Sequence, residues 1–145
     1  MSDAHSRVIE LAGRDRFMQT LGAELVECGA GRAIVRMRVA QQHLNFHNTC
    51  HGGVILTLAD IAFGLASNSH GVVAIGIDVH TAFAAPARVA DILTATAVEV
   101  TRSNRVATYR VNVVRTDKKI VATFTGTVFI TDNPQIASGG PSHAG

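Results

Sequence analysis

His51, Gly52 and Gly53 precede a long apolar segment in which Asp60 is the one ionisable residue. Glycines at the start of a helix leave backbone N–H groups unobstructed at the positive end of the helix dipole. An oxygen that becomes negative during a reaction can be held there, and an aspartate can act as a nucleophile or a general base. These residue types in this order predict a site that attacks a carbonyl group.

The spacing of these residues constrains how such a site is assembled. Gly52 and Asp60 are eight residues apart, which is roughly 12 Å along one helix. Both groups must lie about 3 Å from the same carbonyl group if they are to act together. One helix cannot satisfy this, but two antiparallel copies packed side by side can. The spacing therefore predicts an active unit that is at least a dimer, with two equivalent sites.

The element that carries these residues is predicted to be a buried helix over residues 52–68. Val54, Leu58, Ile61 and Leu65 fall on one stripe at helical spacing, and the opposite side is also largely apolar. The rest of the chain reads as a short N-terminal helix over residues 4–19, a polar loop over 40–51 and six strands. The predicted strands cover residues 25–29, 32–39, 72–84, 92–102, 105–115 and 119–131.

These elements indicate the α+β class: a curved antiparallel sheet wrapped around one central helix. The chain is expected to be one domain over residues 1–132, followed by a disordered tail over 133–145 that is rich in Ser and Gly. If the sheet leaves one side of the helix uncovered, a second subunit must cover it.

Composition excludes several classes of function. The net charge of +2 gives no reason to expect nucleic acid as a partner. No apolar stretch approaches the ~20 residues of a membrane span, and the polar N-terminus lacks the apolar core of a signal peptide. Two cysteines, Cys28 and Cys50, cannot form a disulfide framework. We therefore expect a cytoplasmic protein that does not associate with membranes.

The polar loop also contains residue types found in two other kinds of site. Cys50 beside His51 could form a thiolate–imidazole pair, but adjacent side chains rarely meet productively and no orienting acid is nearby. His43, His47 and His51 are spaced four apart and would align as metal ligands on a helix, yet the composition of this loop disfavours a helix. No metal site is predicted.

Several motifs together resemble the hotdog-fold acyl-CoA thioesterases of the phenylacetate degradation pathway (the PaaI-like family), over residues from about Leu21 to Ile130. The motifs are Leu44-Asn45, His47, Cys50-His51-Gly52-Gly53, Leu58-Ala59-Asp60, Ala62-Phe63 and Asn68-Ser69-x-Gly71. The resemblance implies a hotdog fold, a homotetramer built as a dimer of dimers, and hydrolysis of aryl- or hydroxyarylacetyl-CoA without a metal or organic cofactor.

The resemblance also implies residue roles. Asp60 attacks the thioester or activates water, the Gly52 N–H polarises the thioester oxygen, and Asn45 and His51 orient substrate or water. Gly53 and the ring of Phe63 are expected at the substrate, although an apolar residue on a central helix is also typical of a core.

A hairpin turn is the candidate for binding the nucleotide of CoA. Arg102, Asn104 and Arg105 offer two guanidinium groups, which suit a phosphate, although a solvated turn has the same composition.

Two rival functions remain open. An enoyl-CoA hydratase or hydroxyacyl dehydratase of the same fold would pair His51 with Asp60 across a subunit interface. A non-catalytic acyl-CoA-binding regulator would need an output segment, and the residues before the first strand are too few and not basic enough to bind DNA.

Overall fold

The structure of the protein, a computed structural model, describes residues 3–136. Within that range the chain forms three α-helices, one 3₁₀ turn and six strands. The helices are α1 (Asp3–Arg14), α2 (Arg16–Leu21) and α3 (Gly52–Ser67), and the 3₁₀ turn is Gln41–His43. The strands are β1 (Glu24–Gly29), β2 (Arg32–Arg38), β3 (Val72–Phe83), β4 (Ile92–Arg102), β5 (Val106–Val114) and β6 (Ile120–Pro134).

The six strands form one antiparallel sheet in the order β1-β2-β4-β5-β6-β3. The turn between β1 and β2 places Gly31 at a φ of +69°, a left-handed conformation that glycine adopts without strain. Strand β3 lies at one edge and pairs only with β6 in this sheet. Helix α3 packs against the sheet, so the predicted architecture of a sheet around a central helix is confirmed.

Strand alternation determines which face of the sheet meets α3. In β2, Val35 and Met37 are buried while Arg36 and Arg38 are exposed. Successive side chains of a strand point to opposite faces, so one face carries the apolar residues. Burial of each such side chain contributes roughly 1.5–3 kcal/mol. The packing therefore holds α3 with one defined side toward the sheet.

The opposite side of α3 stays open in the single chain. Leu58, Ala59 and Ala62 are fully buried, whereas Gly53 and Asp60 are exposed. The helix is therefore buried on one side, not all round, and Asp60 lies on the side that the sheet does not cover. No helix in residues 3–136 is long and apolar enough to cross a membrane.

The N-terminal helix differs from the prediction, which placed one helix over residues 4–19. The structure divides this segment at Asp15, whose Oδ1 accepts a hydrogen bond from the Met18 N–H at 2.9 Å and caps α2. An aspartate that bonds the backbone in this way starts a new helix instead of continuing the old one. Apolar periodicity alone does not detect such a cap.

The last strand extends beyond residue 131, where the prediction ended it. Strand β6 continues through Pro134, which lies opposite Val72 of β3. The side-chain amide of Gln135 then donates to Asn68 Oδ1 at 2.6 Å and to the Val72 carbonyl at 3.1 Å. These bonds connect Gln135 to the start of β3, within residues 133–136 that the prediction had assigned to the tail. Residues 137–145, the remainder of that predicted tail, lie outside the described part of the chain.

Replacement of Gly126 tests the contact between α3 and the sheet. A Cβ atom there would lie 2.7 Å from Phe63 Cε1 and 2.9 Å from Phe124 Cε1. We expect Gly126→Ala to lower the free energy of unfolding, measured in urea, by about 1–3 kcal/mol because the rings must shift. Gly13→Ala is the control, since its Cβ meets nothing within 4 Å and alanine favours the helix. Equal stabilities of the two variants would contradict this packing.

Candidate active site

The backbone N–H of Gly52 is free at the start of α3. His51 caps the helix: its Nδ1 accepts from the Gly53 N–H at 2.9 Å, and its carbonyl accepts from Val54 and Ile55. Three of the first four N–H groups of α3 are thereby bonded. The fourth, that of Gly52, has no partner in residues 3–136 and lies at the positive end of the helix dipole. It can bind an oxygen that carries negative charge.

The cap also orients the imidazole of His51. Because Nδ1 accepts a hydrogen bond, the neutral ring carries its proton on Nε2. The side chain is exposed, so the Nε2–H group can donate to a molecule placed beside the helix start. His51 therefore caps the helix through Nδ1 and presents a donor through Nε2.

Asn45 organises the loop before α3. Its Oδ1 accepts from the backbone N–H groups of His47 and Thr49 at 2.9 and 3.2 Å, and from the Thr49 hydroxyl at 3.3 Å. The side-chain oxygen is thus used in a local turn, whereas the side-chain NH₂ has no bond within the described chain. The amide N–H groups of Asn45 remain available to a substrate or a water molecule.

Asp60 is unpaired on the open side of α3. Its carboxylate has no hydrogen bond and no ion pair among residues 3–136. Burial raises the pKa of the carboxyl, and the negative charge of Asp15 raises it further. By accessible surface the side chain is exposed. The pKa direction follows instead from the protein atoms that surround the carboxyl, because these reduce the hydration of the charged form.

Gly52 and Asp60 line different cavities of the single chain. Asp60 lines a cavity of about 420 Å³, together with Asp15 and Phe17 from the N-terminal segment. Gly52 lines another of about 410 Å³, against the ring of Phe83, which lies 3.3 Å from the position of a Cβ on Gly52. The structure therefore places both predicted groups at open sites, but it does not bring them together within one chain.

The hairpin between β4 and β5 has its charges largely engaged. Arg105 forms an ion pair with Asp132 at 2.8 Å and donates to the Ile130 carbonyl at 3.1 Å. Arg102 is partly buried with its Nη1 unpartnered, and its charge acts on Glu99 and Tyr109. Asn104 is exposed.

Of the two other predicted substrate contacts, Phe63 is buried and Gly53 is exposed. The Phe63 ring is 2% exposed and packs in the core, with centroids 5.8 Å from Tyr109 and 5.3 Å from Phe124. It contacts the sheet and does not line the Asp60 cavity, so the structure supports its core role. Gly53 is exposed, and its N–H is occupied by His51.

Comparison with known proteins identifies the family to which this chain belongs. Residues 47–122 match the Thioesterase superfamily. The chain belongs to this superfamily.

Acyl-coenzyme A thioesterase PaaI of Escherichia coli is 37% identical over 77% of this chain and 80% of its own. The structure of E. coli PaaI, from the phenylacetic acid degradation operon, superposes with a TM-score of 0.89 at 32% identity, over 91% of this chain and 96% of that one. A Streptococcus mutans protein bound to acetyl CoA gives a TM-score of 0.75 at 28% identity, over 78% and 91%. The predicted PaaI-like family, hotdog fold and thioester hydrolase class are confirmed.

The thioesterase does not offer Cys50 as a nucleophile. Burial raises the pKa of its thiol to about 11, so the thiolate is scarce at neutral pH. The Nδ1 of the adjacent His51 is already bonded to Gly53. Of the three loop histidines, His43 is buried, and its Nδ1 accepts from the Ala40 N–H at 2.9 Å. Residues 3–136 contain no group of three or more His, Cys, Asp or Glu that could hold a metal ion.

Two residues beside Asp60 were missed in the sequence analysis. Asp15 and Phe17 fall within the segment predicted as a continuous helix, and both line the Asp60 cavity. The signal that could have found them is the aspartate itself, because Asp within an apolar helical pattern is typical of an N-cap.

The influence of Asp15 on Asp60 can be measured directly. Asparagine caps a helix as well as aspartate does, so Asp15→Asn keeps α2 and removes one charge. We expect the pKa of Asp60, followed by ¹³C NMR of the side-chain carboxyl, to fall toward its ordinary value yet stay above it, because burial remains. Asp132→Asn removes a charge that pairs with Arg105 and should leave the pKa of Asp60 unchanged. Equal changes in the pKa of Asp60 in both variants would contradict a specific effect of the Asp15 charge.

Proposed function

We propose that this thioesterase hydrolyses acyl-CoA thioesters, with a preference for arylacetyl-CoA such as phenylacetyl- or hydroxyphenylacetyl-CoA, in the cytoplasm. The observation that carries the proposal is the pair of unpartnered groups on α3, the Asp60 carboxylate and the Gly52 N–H. The acyl class is supported by the names of the relatives: an acyl-CoA thioesterase, a protein of a phenylacetic acid degradation operon, and a neighbour that binds acetyl CoA.

The proposed active unit is a homodimer. Strand β3 has an unpaired edge, and its exposed side chains include Ile75, Ile77 and Val79. An exposed, apolar strand edge is a site for pairing with another strand. Addition of a second copy along this edge would extend the sheet and place the open sides of two α3 helices next to each other. We further propose that two such dimers form a tetramer.

In this dimer each site combines Asp60 of one copy with the Gly52 N–H of the other. About 12 Å separates the two groups along one helix, whereas antiparallel helices in contact are only 8–10 Å apart at their axes. Side chains and ligand can bridge that interval. The positive helix start of one copy then faces the carboxylate of the other across the thioester carbonyl.

The proposed reaction follows from these positions. The Asp60 carboxylate removes a proton from water, and the oxygen of that water attacks the thioester carbon. Alternatively the carboxylate itself attacks, and water then hydrolyses the resulting anhydride. In both routes the carbonyl oxygen becomes negative and is stabilised by the Gly52 N–H. The C–S bond breaks, CoA leaves as the thiolate, and the Asp60 carboxyl or water returns a proton to it.

His51 and Asn45 complete the proposed site as positioning residues. The outward Nε2–H of His51 and the free NH₂ of Asn45 are donors close in sequence to Gly52. They would orient the thioester or the attacking water, and neither would exchange a proton with the substrate. For the hairpin of Arg102, Asn104 and Arg105 we propose contact with the nucleotide of CoA, for which Asn104 is the residue with its side chain free in the described chain.

Replacement of Asp60 by Asn is the principal test. We expect thiol release from phenylacetyl-CoA to fall by roughly 10²–10⁴-fold, the usual contribution of a general base. Because the pKa of Asp60 is raised, the folded protein binds this proton more tightly than the unfolded chain. Ionised Asp60 therefore costs stability as pH rises through the folded-state pKa. At neutral pH the variant should have an unchanged or higher Tm and an unchanged oligomer size.

An inactive variant that is also unfolded or dissociated would identify Asp60 as a structural carboxylate. Asp117→Asn, in the turn between β5 and β6 and outside both the proposed site and the β3 edge, is a matched control that should retain activity. Loss of enoyl absorbance without thiol release would instead favour a hydratase of the same fold.

The shared site is tested by mixing two inactive variants. Asp60→Asn leaves the Gly52 N–H intact, and Gly52→Val blocks access to that N–H but leaves Asp60 intact. A mixed dimer would contain one intact site and one doubly altered site. Statistical mixing should therefore restore up to about a quarter of the wild-type activity. If mixing is confirmed by mass spectrometry and activity stays absent, the two groups do not meet across an interface.

A further inference from the structure

The cavity beside Asp60 has one apolar wall that the proposed reaction does not use. Phe17, on α2, is 59% exposed, although phenylalanine is among the residues most often buried. Phe17 lines the same cavity as Asp60, together with Thr57 and Gly64 of α3. A large apolar side chain that lines an open cavity next to a reactive group is typical of a ligand pocket.

The fold holds Phe17 firmly in this position. Helix α2 is capped at its start by Asp15 and ends at Gly22, which has a φ of +79° and donates to the Gln19 carbonyl. Met18 and Leu21 on the same helix are buried and anchor it to the core. The six-residue helix therefore buries its other apolar residues and presents Phe17 to the cavity.

The cavity has the size and lining for an acyl group. Its volume of about 420 Å³ falls within the range of ligand pockets, roughly 300–1,000 Å³. Leu11 and Ile61 add apolar surface to the cavity. In the proposed reaction the thioester carbon would lie beside the Asp60 carboxylate. The absence of a side chain at Gly64 adds space, since a Cβ there meets nothing within 4 Å. An acyl group bound with its carbonyl at Asp60 would direct its tail toward Phe17.

We propose that Phe17 is a specificity-determining residue, which forms the wall of the acyl pocket and selects aromatic or bulky apolar acyl groups over acetyl. The inference rests on the proposed function and deepens it, because it identifies the surface that would recognise the acyl group. An aromatic tail can pack edge-to-face or offset on the ring. An acetyl group has only one methyl group to pack against the ring and therefore gains less from it.

The test compares two substrates across three variants. For Phe17→Ala we expect kcat/KM for phenylacetyl-CoA to fall roughly 10-fold or more relative to kcat/KM for acetyl-CoA. Phe17→Leu keeps an apolar wall without the aromatic ring and should lose less of this selectivity. Ile9→Ala removes an exposed apolar side chain from α1 that does not line the cavity, so the substrate ratio should not change. An unchanged ratio in both Phe17 variants, or an equal change in Ile9→Ala, overturns the proposal.

A binding measurement separates this inference from the proposed function. Phenylacetate, the expected acid product, is titrated into the wild type and the Phe17 variants and followed by NMR. We expect the Kd for phenylacetate to rise in Phe17→Ala and to rise less in Phe17→Leu. If the wild type releases no thiol from any acyl-CoA, the proposed function fails, and the phenylacetate titration still reports on the pocket. If thiol release depends on Asp60 but neither the substrate ratio nor the Kd depends on Phe17, only the present inference fails.

Discussion

The packing of helix α3 against the sheet is the interaction on which the site depends. Leu58, Ala59 and Ala62 are fully buried against the strands, so the helix cannot rotate about its axis without exposing them. This fixed orientation of the helix places Asp60 on the opposite side, where no cation of residues 3–136 neutralises it. A carboxylate in such a position is costly for the folded chain, as the raised pKa of Asp60 indicates. Stability therefore does not account for its presence, and this cost is the physical ground for the chemical role proposed for Asp60.

The rigidity of the same helix keeps the two groups of the proposed site apart within one chain. A helix cannot bend its first residue back to its ninth, so the Gly52 N–H and the Asp60 carboxylate stay in separate cavities. The polar groups at the helix start also keep part of their hydrogen-bonding capacity unused within the described chain. His51 bonds its own helix through Nδ1, Asn45 bonds its own turn through Oδ1, and each leaves donors unused. An acyl-CoA thioester between two antiparallel copies would meet all of these groups at once.

The N-terminal segment adds a second constraint. The break at Asp15 brings a negative charge and an aromatic ring to the cavity of the carboxylate. The charge makes Asp60 a stronger base, and the ring of Phe17 bounds the space in which an acyl group would lie. A short capped helix can thus influence both the proton affinity of the carboxylate and the shape of its pocket, without any change in α3 or the sheet.

Much of the fold could be predicted from the sequence, and the residues of the proposed site could be selected from it, because both depend on local spacing. The period of the apolar residues identified α3 and the strands, and the eight-residue interval between Gly52 and Asp60 is the basis for the proposal of a site shared between two copies. Features that depend on contacts between residues far apart in the sequence could be determined only from the tertiary structure. It placed Phe63 in the core, tied Arg105 to Asp132, and extended β6 to Pro134 through its pairing with β3. It also brought Asp15 and Phe17 to Asp60 across more than forty residues of chain. Such proximity is set by how elements pack, and no period along the sequence encodes it.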